Sequence, residues 1–143
     1  MKYHFKVHRE GTGFWTECIE LEGCRTQGDS LEELQSNMHE ALNLYLDEPE
    51  DSKRVSPLPK KGLKGRGIVT VEVEPKIAFA LLLRRHRLTQ GMTQREVADK
   101  MGFKNIYSYQ RLENSKTANP EFTTILLIKR IFPKFSLDEI IAA

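Results

Sequence analysis

Several features typical of exported proteins and metalloproteins are scarce or missing in this sequence. Its 143 residues include only two cysteines, Cys18 and Cys24, which lack the paired spacing of a zinc site or a disulfide framework. We interpret both as packing residues in a reducing compartment. The chain has no run of about 18 apolar residues and no apolar signal core near its start, so we predict no membrane segment and a cytoplasmic location.

The residues that usually carry catalysis or bind metal are also sparse. The four histidines are scattered, at positions 4, 8, 39 and 86, and do not have metal-ligand spacing. Residues 2–9 read as the first strand and contain no Asp or Glu, whereas a ribonuclease H-type nuclease places a metal-binding carboxylate there. No nucleophile motif or glycine-rich phosphate loop is present. We therefore predict a non-enzymatic protein with no catalytic residue, no metal and no cofactor.

Charge is divided unevenly along the chain. Residues 1–59 hold 6 Lys and Arg against 12 Asp and Glu, whereas residues 60–143 hold 16 against 8. The two parts therefore carry −6 and +8, although the whole chain carries only +2. This asymmetry indicates either a basic partner for the first part and a polyanion for the second, or attraction between the two parts.

The first half predicts a small α+β layer of order ββαβ. Alternating apolar residues predict strands over 2–9 and 14–21, joined by a hairpin at "EGTG", and a third strand over 67–74. "TQGD" predicts a turn, and Ser30 with Glu33 predicts a capping box that starts a helix. The apolar stripe of that helix is Leu31, Leu34, Met38, Ala41, Leu42, Tyr45 and Leu46. We assign residues 1–74 to a first domain, with an irregular, linker-like segment over 47–67.

Residues 75–143 predict a second, all-α domain. Apolar periodicity and capping residues predict five short helices in "KIAFALLLRRHRLTQ", "GMTQREVADKMG", "FKNIYSYQRLENS", "EFTTILLIKRIF" and "SLDEIIAA". In the first of these helices, Arg84, Arg85 and Arg87 are expected at the exposed C-terminal end, where cations suit the helix dipole.

The second and third of these helices resemble a helix-turn-helix of the Cro and lambda-repressor type. That pattern reads "TQ-x-x-L-A-x-x-x-G" and is followed by a recognition helix that ends in "R-x-E". The matching residues are Thr93, Gln94, Val97, Ala98, Gly102, Arg111 and Glu113. The segment from Gly102 to Glu113 is one residue longer than the commonest form, which leaves the register of the recognition helix open. The alternative is a plain helical bundle whose polar face meets only water.

The resemblance implies binding to double-stranded operator DNA. Gln94 and Arg95 would then lie against phosphates. The residues facing the major groove would be Lys104, Asn105, Tyr107, Ser108, Gln110 and Arg111. Amides pair bidentately with adenine and guanidinium with guanine, so Asn105, Gln110 and Arg111 are the candidates for base reading, and Lys104 and Arg95 are assigned to the DNA backbone.

One such module buries little surface, so a homodimer or higher oligomer is expected. The fourth and fifth helices offer more apolar residues than a small bundle needs. These residues form either a dimer seam or a plain core, and they are Ile125, Leu126, Ile131, Phe132, Ile140 and Ile141.

The first half is similar to the HicB antitoxin pattern. That pattern has a strand, a hairpin, a "GC-x-T-x-G" segment, "[ST]-x-E-E" and a helix ending in "E-A-L". The matching residues are Phe14, Gly23, Cys24, Thr26, Gly28, Ser30, Glu32, Glu33, Glu40, Ala41 and Leu42. The sequence departs from the family at "GTGFW" in the hairpin and at "ECIELEG", where the family commonly has a proline. Together with the helix-turn-helix, the resemblance covers nearly the whole chain.

The HicB resemblance implies a type II toxin-antitoxin protein. Its N-terminal domain would be a partial ribonuclease H-like fold without the catalytic metal site, and it would bind a HicA-type toxin, a small basic mRNA-cleaving ribonuclease. Its C-terminal domain would repress the operon. The charge split would then match a basic toxin at one domain and phosphates at the other.

The toxin interface is expected at the second strand and its exit. Trp15 is the aromatic anchor candidate, with Glu17, Glu20 and Glu22 beside it. The alternatives are that Trp15 packs on the sheet and that the carboxylates form a solvated face. An alternative function is a ligand-responsive transcriptional repressor whose first domain senses a small molecule.

Overall fold

The computed structural model describes residues 1–141, which form a mixed α+β structure with a four-stranded antiparallel sheet and six helices. In chain order the elements are β1 (Lys2–Glu10), β2 (Gly13–Cys18), β3 (Arg25–Gly28), α1 (Leu31–Leu46), β4 (Ile68–Glu72), α2 (Pro75–Thr89), α3 (Gln94–Lys100), α4 (Ile106–Glu113), α5 (Phe122–Ile131) and α6 (Asp138–Ile141). Within these residues, no helix is both long and apolar enough to cross a bilayer.

The described residues group into two compact units. We call residues 1–46 and 56–74 the sheet unit, because they contain all four strands and α1. Residues 47–55 and 75–141 form the helical unit, which contains α2 to α6. The last predicted helix extended over residues 142–143, which lie outside the described residues.

In the sheet unit, β1 is an inner strand, since the sheet order is β3-β2-β1-β4 and each neighbouring pair is antiparallel. The register places Phe5 opposite Cys18 on one side and opposite Val69 on the other. Side chains alternate between the two faces, so Tyr3 and Phe5 share the inner face, where both are fully buried. α1 packs against β2, β3 and β4 and buries Leu34, Met38, Leu42 and Leu46. The predicted first and third strands are confirmed as β1 and β4.

The predicted order ββαβ is wrong, because the segment predicted as a turn contains a strand. β3 pairs with β2 in a register that places Thr26 opposite Thr16, so the observed order is βββαβ. β3 is four residues long and polar, and such a segment has no apolar alternation to reveal it. A Cβ on Gly28 would lie only 2.6 Å from the backbone nitrogen of Leu34, so α1 can approach β3 only at a glycine.

The start of α1 follows its predicted chemistry. Ser30 Oγ accepts a hydrogen bond from the amide of Glu33 at 3.1 Å. The Glu33 carboxylate in turn accepts from the amide of Asp29 at 3.1 Å. These bonds satisfy backbone donors that the first helical turn leaves unpaired.

The core of the helical unit joins α2 to the helices that follow it. Its fully buried members include Ala78, Leu82, Leu83, Val97, Tyr109, Ile128, Phe132 and Phe135. The five predicted helices correspond to α2 to α6, although α4 begins at Ile106, three residues later than the predicted start at Phe103. Phe132 was left open between a dimer seam and a core, and its burial assigns it to the core.

Candidate functional sites

The connection between α3 and α4 is fixed by backbone chemistry at both ends. Thr93 and Glu96 form a reciprocal capping box at the start of α3. At its end, Gly102 adopts a φ of +77°, and the amide of Phe103 donates to the carbonyl of Ala98 at 3.0 Å. This left-handed closure is the one that glycine tolerates best. Residues 101–105, between the end of α3 and the start of α4, are non-helical.

A buried carboxylate links α2, α3 and α4. Glu113 is 2% exposed and accepts four side-chain hydrogen bonds. The donors are Arg87 Nε at 2.6 Å, Arg87 Nη2 at 3.1 Å, Tyr109 Oη at 2.7 Å and Gln94 Nε2 at 2.7 Å. Its backbone carbonyl accepts a further bond from Arg84 Nη2 at 3.2 Å. The three helices are therefore joined through one residue.

The prediction that Arg84 and Arg87 lie at an exposed helix end is wrong, because they are only 4% and 6% exposed. Burial alone would lower the pKa of Arg87, but the hydrogen bonds and charge of Glu113 outweigh it and raise that pKa. Burial and the same carboxylate raise the pKa of Tyr109. Arg87 thus stays charged and Tyr109 stays neutral, which are the states that this network requires.

Five of the residues predicted to contact DNA are exposed: Arg95, Lys104, Asn105, Tyr107 and Arg111. Tyr107 is 62% exposed, and the Arg111 guanidinium lies 5.9 Å from the centre of its ring. Because the opposite side of α4 buries Tyr109, Leu112 and Glu113, this polar side faces solvent. The helical unit therefore presents a cationic and aromatic face on α4.

The exposed Asn105 and the remaining three predicted DNA contacts, Gln94, Ser108 and Gln110, are engaged in hydrogen bonds within the protein. Asn105 caps α4, with its Oδ1 accepting from the amide and the hydroxyl of Ser108 at 3.1 and 3.3 Å. Gln110 Nε2 donates to Gln94 Oε1 at 3.2 Å, and Gln94 itself donates to Glu113. Of the three base-reading candidates, Asn105 and Arg111 are exposed and Gln110 is half-buried, but Asn105 is engaged as the cap of α4.

An acidic segment, which the sequence suggested was part of a linker, belongs to the helical unit. Residues 47–55 include Asp47 and Glu50, whose carboxylates accept from Ser115 Oγ and from Asn114 Nδ2 at 3.1 Å. The Glu50 carbonyl also lies 3.5 Å from Gln94 Nε2. The segment and the start of α3 together line an open pocket of about 380 Å³. Negative charge therefore lies beside the start of α3 and the end of α4.

Grouping the charges by folded unit reduces the contrast seen between the sequence halves. The sheet unit has 8 Lys and Arg against 10 Asp and Glu, and the helical unit has 14 against 10. The net charges are therefore −2 and +4, compared with −6 and +8 for the two sequence halves. The reason is that the acidic segment 47–55 folds with the helices, whereas the basic segment 60–66 folds with the sheet.

Trp15 and Glu17 lie on the face of the sheet opposite α1. The ring of Trp15 stacks on that of His8, with centroids 4.0 Å apart and planes 16° apart. The Glu17 carboxylate lies 3.5 Å from His8 Nε2 and 3.9 Å from the guanidinium of Arg25. Both predicted partner residues are half-buried, and this face has mixed charge.

The expectation that Glu20 lies on a solvated acidic edge is wrong. β2 ends at Cys18, earlier than predicted, and Glu20 is 9% exposed. Its carboxylate accepts from His4 Nδ1 at 2.7 Å, from the His4 amide at 2.9 Å and from the Lys60 amide at 3.0 Å. His4, on β1, is 6% exposed and is buried by this contact. Glu20 therefore ties residues 56–67 to β1, whereas Glu22 is exposed.

Cys18 and Cys24 are buried, as the packing interpretation predicted. A hydrogen bond with Cys24 and burial raise the pKa of Cys18, so its nucleophilic thiolate is suppressed at neutral pH. Among residues 1–141, no group of three or more His, Cys, Asp or Glu side chains could hold a metal ion.

α1 carries an acidic surface that the sequence-based argument did not single out. No Lys or Arg occurs between Arg25 and Lys53. Glu32, Glu33 and Glu40 are all exposed on α1, and Leu44 is 68% exposed. The 27-residue gap in basic residues was the signal that would have located this surface.

No known protein-family model matches the chain, and no curated protein matches it significantly.

Proposed function

We propose that this protein is a HicB-type antitoxin that binds and neutralises a HicA-type ribonuclease toxin and represses its own operon. In this proposal the sheet unit is the partial ribonuclease H-like, toxin-binding domain. The helical unit is the helix-turn-helix domain that binds double-stranded operator DNA. The protein is a cytoplasmic, non-enzymatic regulator without a cofactor.

The observation that carries the proposal is the pair α3 and α4. They are joined by a glycine closure at Gly102 and held by the buried Glu113 network. Such an arrangement supports insertion of α4 into the major groove, because the side of α4 that carries Tyr107 and Arg111 faces solvent and makes no core contacts. Arg111 is then the primary base reader, most suited to guanine, and Lys104 and Arg95 contact phosphates.

The engaged amides change the expected roles of three residues. Asn105 caps α4, so its contribution is to fix the start of that helix. Gln110 donates to Gln94 across the two helices, and Gln94 in turn donates to Glu113. Base reading by Gln110 therefore requires that the Gln94 contact is kept or exchanged on binding.

A homodimer is proposed through α5 and α6. Phe122 is 73% exposed, Leu126 44%, Leu137 38% and Ile141 71%. Phe122 and Leu126 are four residues apart and thus lie on one side of α5. Because Ile128 faces the core on the other side, this apolar side is available to a second copy.

The toxin-binding proposal rests on the motif residues and their physical roles in the sheet unit. Gly28 permits α1 to approach β3, Ser30 and Glu33 cap α1, and Cys24 is buried. Trp15, Glu17 and Glu22 remain the proposed contacts, and Glu20 serves as internal support. A basic ribonuclease would also be attracted by the exposed carboxylates of α1.

Co-expression with the adjacent small open reading frame tests the antitoxin function. We expect growth rescue and a stable complex. Arg111→Ala should weaken operator binding by about 1–3 kcal/mol and leave rescue intact. Arg130→Ala, another exposed Arg in the helical unit, is the matched control. Toxicity that persists despite good expression of the protein would refute the proposal.

A charge-reversal pair locates the toxin surface. Glu17→Lys alters the open face of the sheet, and Glu40→Lys alters α1. Weaker toxin binding by the first variant only supports contacts around Trp15, whereas weaker binding by the second only moves the interface to α1. If neither reversal changes toxin affinity, electrostatic capture by the sheet unit is refuted.

A ligand-responsive repressor is the second candidate function. It is favoured by an open groove of about 850 Å³ in the sheet unit, which has the size of small-molecule sites. Its lining includes Lys2, Glu32, His39 and Glu72 among apolar side chains. Release of operator DNA by a small molecule, together with no effect on the co-expressed toxin, would favour this alternative.

A further inference from the structure

β4 leaves one edge of the sheet unpaired among the described residues. The sheet order places β4 at the end next to β1. Val69 is 38% exposed, and Thr70 and Glu72 are exposed as well. The opposite edge strand, β3, is shorter and is closed against α1 at Gly28. β4 is therefore the edge with the greater capacity to pair with another strand.

The direction of the backbone groups on β4 follows from its bonds to β1. The amide of Val7 donates to the carbonyl of Gly67 at 2.8 Å, and the amide of Val73 donates to the carbonyl of Met1 at 2.9 Å. Because backbone groups alternate along an antiparallel strand, the amides of Thr70 and Glu72 point away from β1. The carbonyl of Ile68 points the same way, whereas its amide donates to Gly65.

An apolar groove runs beside this edge on the α1 side. Its lining includes Leu31, Leu34, Met38, Val69 and Val71. Leu31 was predicted to belong to the buried stripe of α1 but is 64% exposed. The unpaired edge and the exposed apolar side chains therefore coincide at one place in the sheet unit.

We propose that a second copy of this chain pairs its β4 with this β4, antiparallel and centred on Thr70. Thr70 then lies opposite Thr70 of the second copy, and Ile68 lies opposite Glu72. Two bonds run between the Thr70 residues, and two more run from Glu72 amides to Ile68 carbonyls. Val69 of each copy lies opposite Val71 of the other, which extends the apolar groove across the two-fold axis.

Side-chain charges favour this register. Arg66 of one copy and Glu74 of the other flank the pair just beyond the two ends of β4, so opposite charges come near each other at both ends; both residues are exposed, and Glu74 also lies 3.2 Å from His39 Nε2. Shifting the centre to Glu72 places like charges directly opposite each other, which is destabilising. Shifting it to Ile68 runs into the turn that its amide closes with Gly65. An unrelated peptide could use the edge but would lack these symmetric ion pairs.

The proposal is independent of the α5 seam and adds to it. With both seams, association extends beyond a dimer. Thr70→Pro removes an outward amide and leaves the bonds to β1 in place, and edge strands tolerate proline at such positions. Thr70→Val keeps the amide and is the matched control. Leu126→Glu disrupts the α5 seam alone.

Sedimentation equilibrium of the full chain over a range of concentrations reads out these states. We expect Thr70→Pro to weaken the β4 association about tenfold or more, from the two lost hydrogen bonds and the proline rings at the axis. Thr70→Val should match the wild type. With Leu126→Glu, a dimer that Thr70→Pro converts to a monomer supports the β4 pair. A Leu126→Glu variant that is monomeric on its own overturns it.

A charge exchange guards against misfolding of the proline variant. Arg66→Glu should weaken the association, and adding Glu74→Arg should restore it, since the end pairs are then re-formed with opposite polarity. Failure of the double variant to recover would overturn the register. If Leu126→Glu leaves the mass unchanged, the α5 seam fails while the β4 pair is retained.

Discussion

Replacing Glu113 by Gln tests whether the α3–α4 arrangement depends on a buried charge. The variant keeps the size of the side chain but presents one carbonyl oxygen and one amide group to Arg87, Tyr109 and Gln94, all of which donate to Glu113. The amide group of the introduced Gln is itself a donor, so it cannot accept the hydrogen bonds that Arg87, Gln94 and Tyr109 donate at this position. The guanidinium of Arg87, which is 6% exposed, loses its counter-charge.

The expected loss is large compared with the stability of a domain. Removing one partner of a buried ion pair costs about 3–5 kcal/mol, and a typical domain has only about 5–15 kcal/mol in total. For a domain of 60–100 residues, 1 kcal/mol shifts Tm by about 4–8 °C, so we expect a fall of at least about 12 °C. Operator binding should weaken as well, because α4 loses its connection to α2.

Thermal and urea unfolding followed by helical circular dichroism measures this loss. Trp15 is the only tryptophan and lies in the sheet unit, so its fluorescence reports on that unit separately. The matched control is Glu48→Gln, which breaks the more exposed pair of Glu48 with Arg54 at 3.3 Å in the same unit. That change should cost only about 0–1 kcal/mol.

A double variant separates the lost charge pair from general damage. Arg87→Met combined with Glu113→Leu removes both charges, and apolar replacement of a whole buried pair is often close to neutral. We expect it to be more stable than Glu113→Gln. Equal losses for Glu113→Gln and Glu48→Gln, or a double variant no more stable than Glu113→Gln, would refute the reasoning.

Three further predictions concern other sites. Glu50→Gln should increase DNA affinity in a titration at low salt, because it removes a negative charge beside the start of α3; unchanged affinity would contradict this. Burial lowers the pKa of His86, so below about pH 6.5 the unfolded chain binds a proton that the folded chain resists. The free energy of unfolding of the helical unit should therefore decrease as the pH is lowered below about 6.5, and His86→Leu should flatten that dependence in urea titrations. Glu20→Ala should destabilise the sheet unit by about 1–3 kcal/mol, measured by Trp15 fluorescence, because buried donors from His4 and Lys60 lose their acceptor; a change within error would contradict the support role.

The elements that the sequence predicted well are those with local signals. Alternation marked β1 and β4, and the Thr93 and Ser30 caps marked α3 and α1. β3 was missed because its four polar residues are held by pairing with β2, and a strand defined by its neighbour has no period of its own. Leu31 was misassigned for a related reason. It follows the apolar spacing of α1, but it lies beside the open groove next to β4, where no other part of the described chain covers it.

The exposure of candidate site residues was predicted well where it follows from helix position and poorly where distant residues meet. Arg111 and Tyr107 fall on the solvent side of α4, as the helix-turn-helix resemblance implied. Glu113 contacts Arg87 26 residues away, and Glu20 contacts Lys60 40 residues away. No local pattern contains such pairs. Charged residues that appear exposed in a sequence can therefore be internal supports.

The net charge of each part of the protein is smaller when charges are grouped by folded unit than when they are grouped by sequence half. At −2, the sheet unit has little net charge, so the proposed attraction of a basic toxin would have to come from local carboxylates on α1 and β2. At +4, the helical unit keeps a basic excess, but the acidic segment 47–55 lies next to residues proposed to meet phosphates. The proposed phosphate binding would have to overcome this local repulsion, so we expect the exposed Arg95, Lys104 and Arg111 to determine DNA affinity more than net charge does.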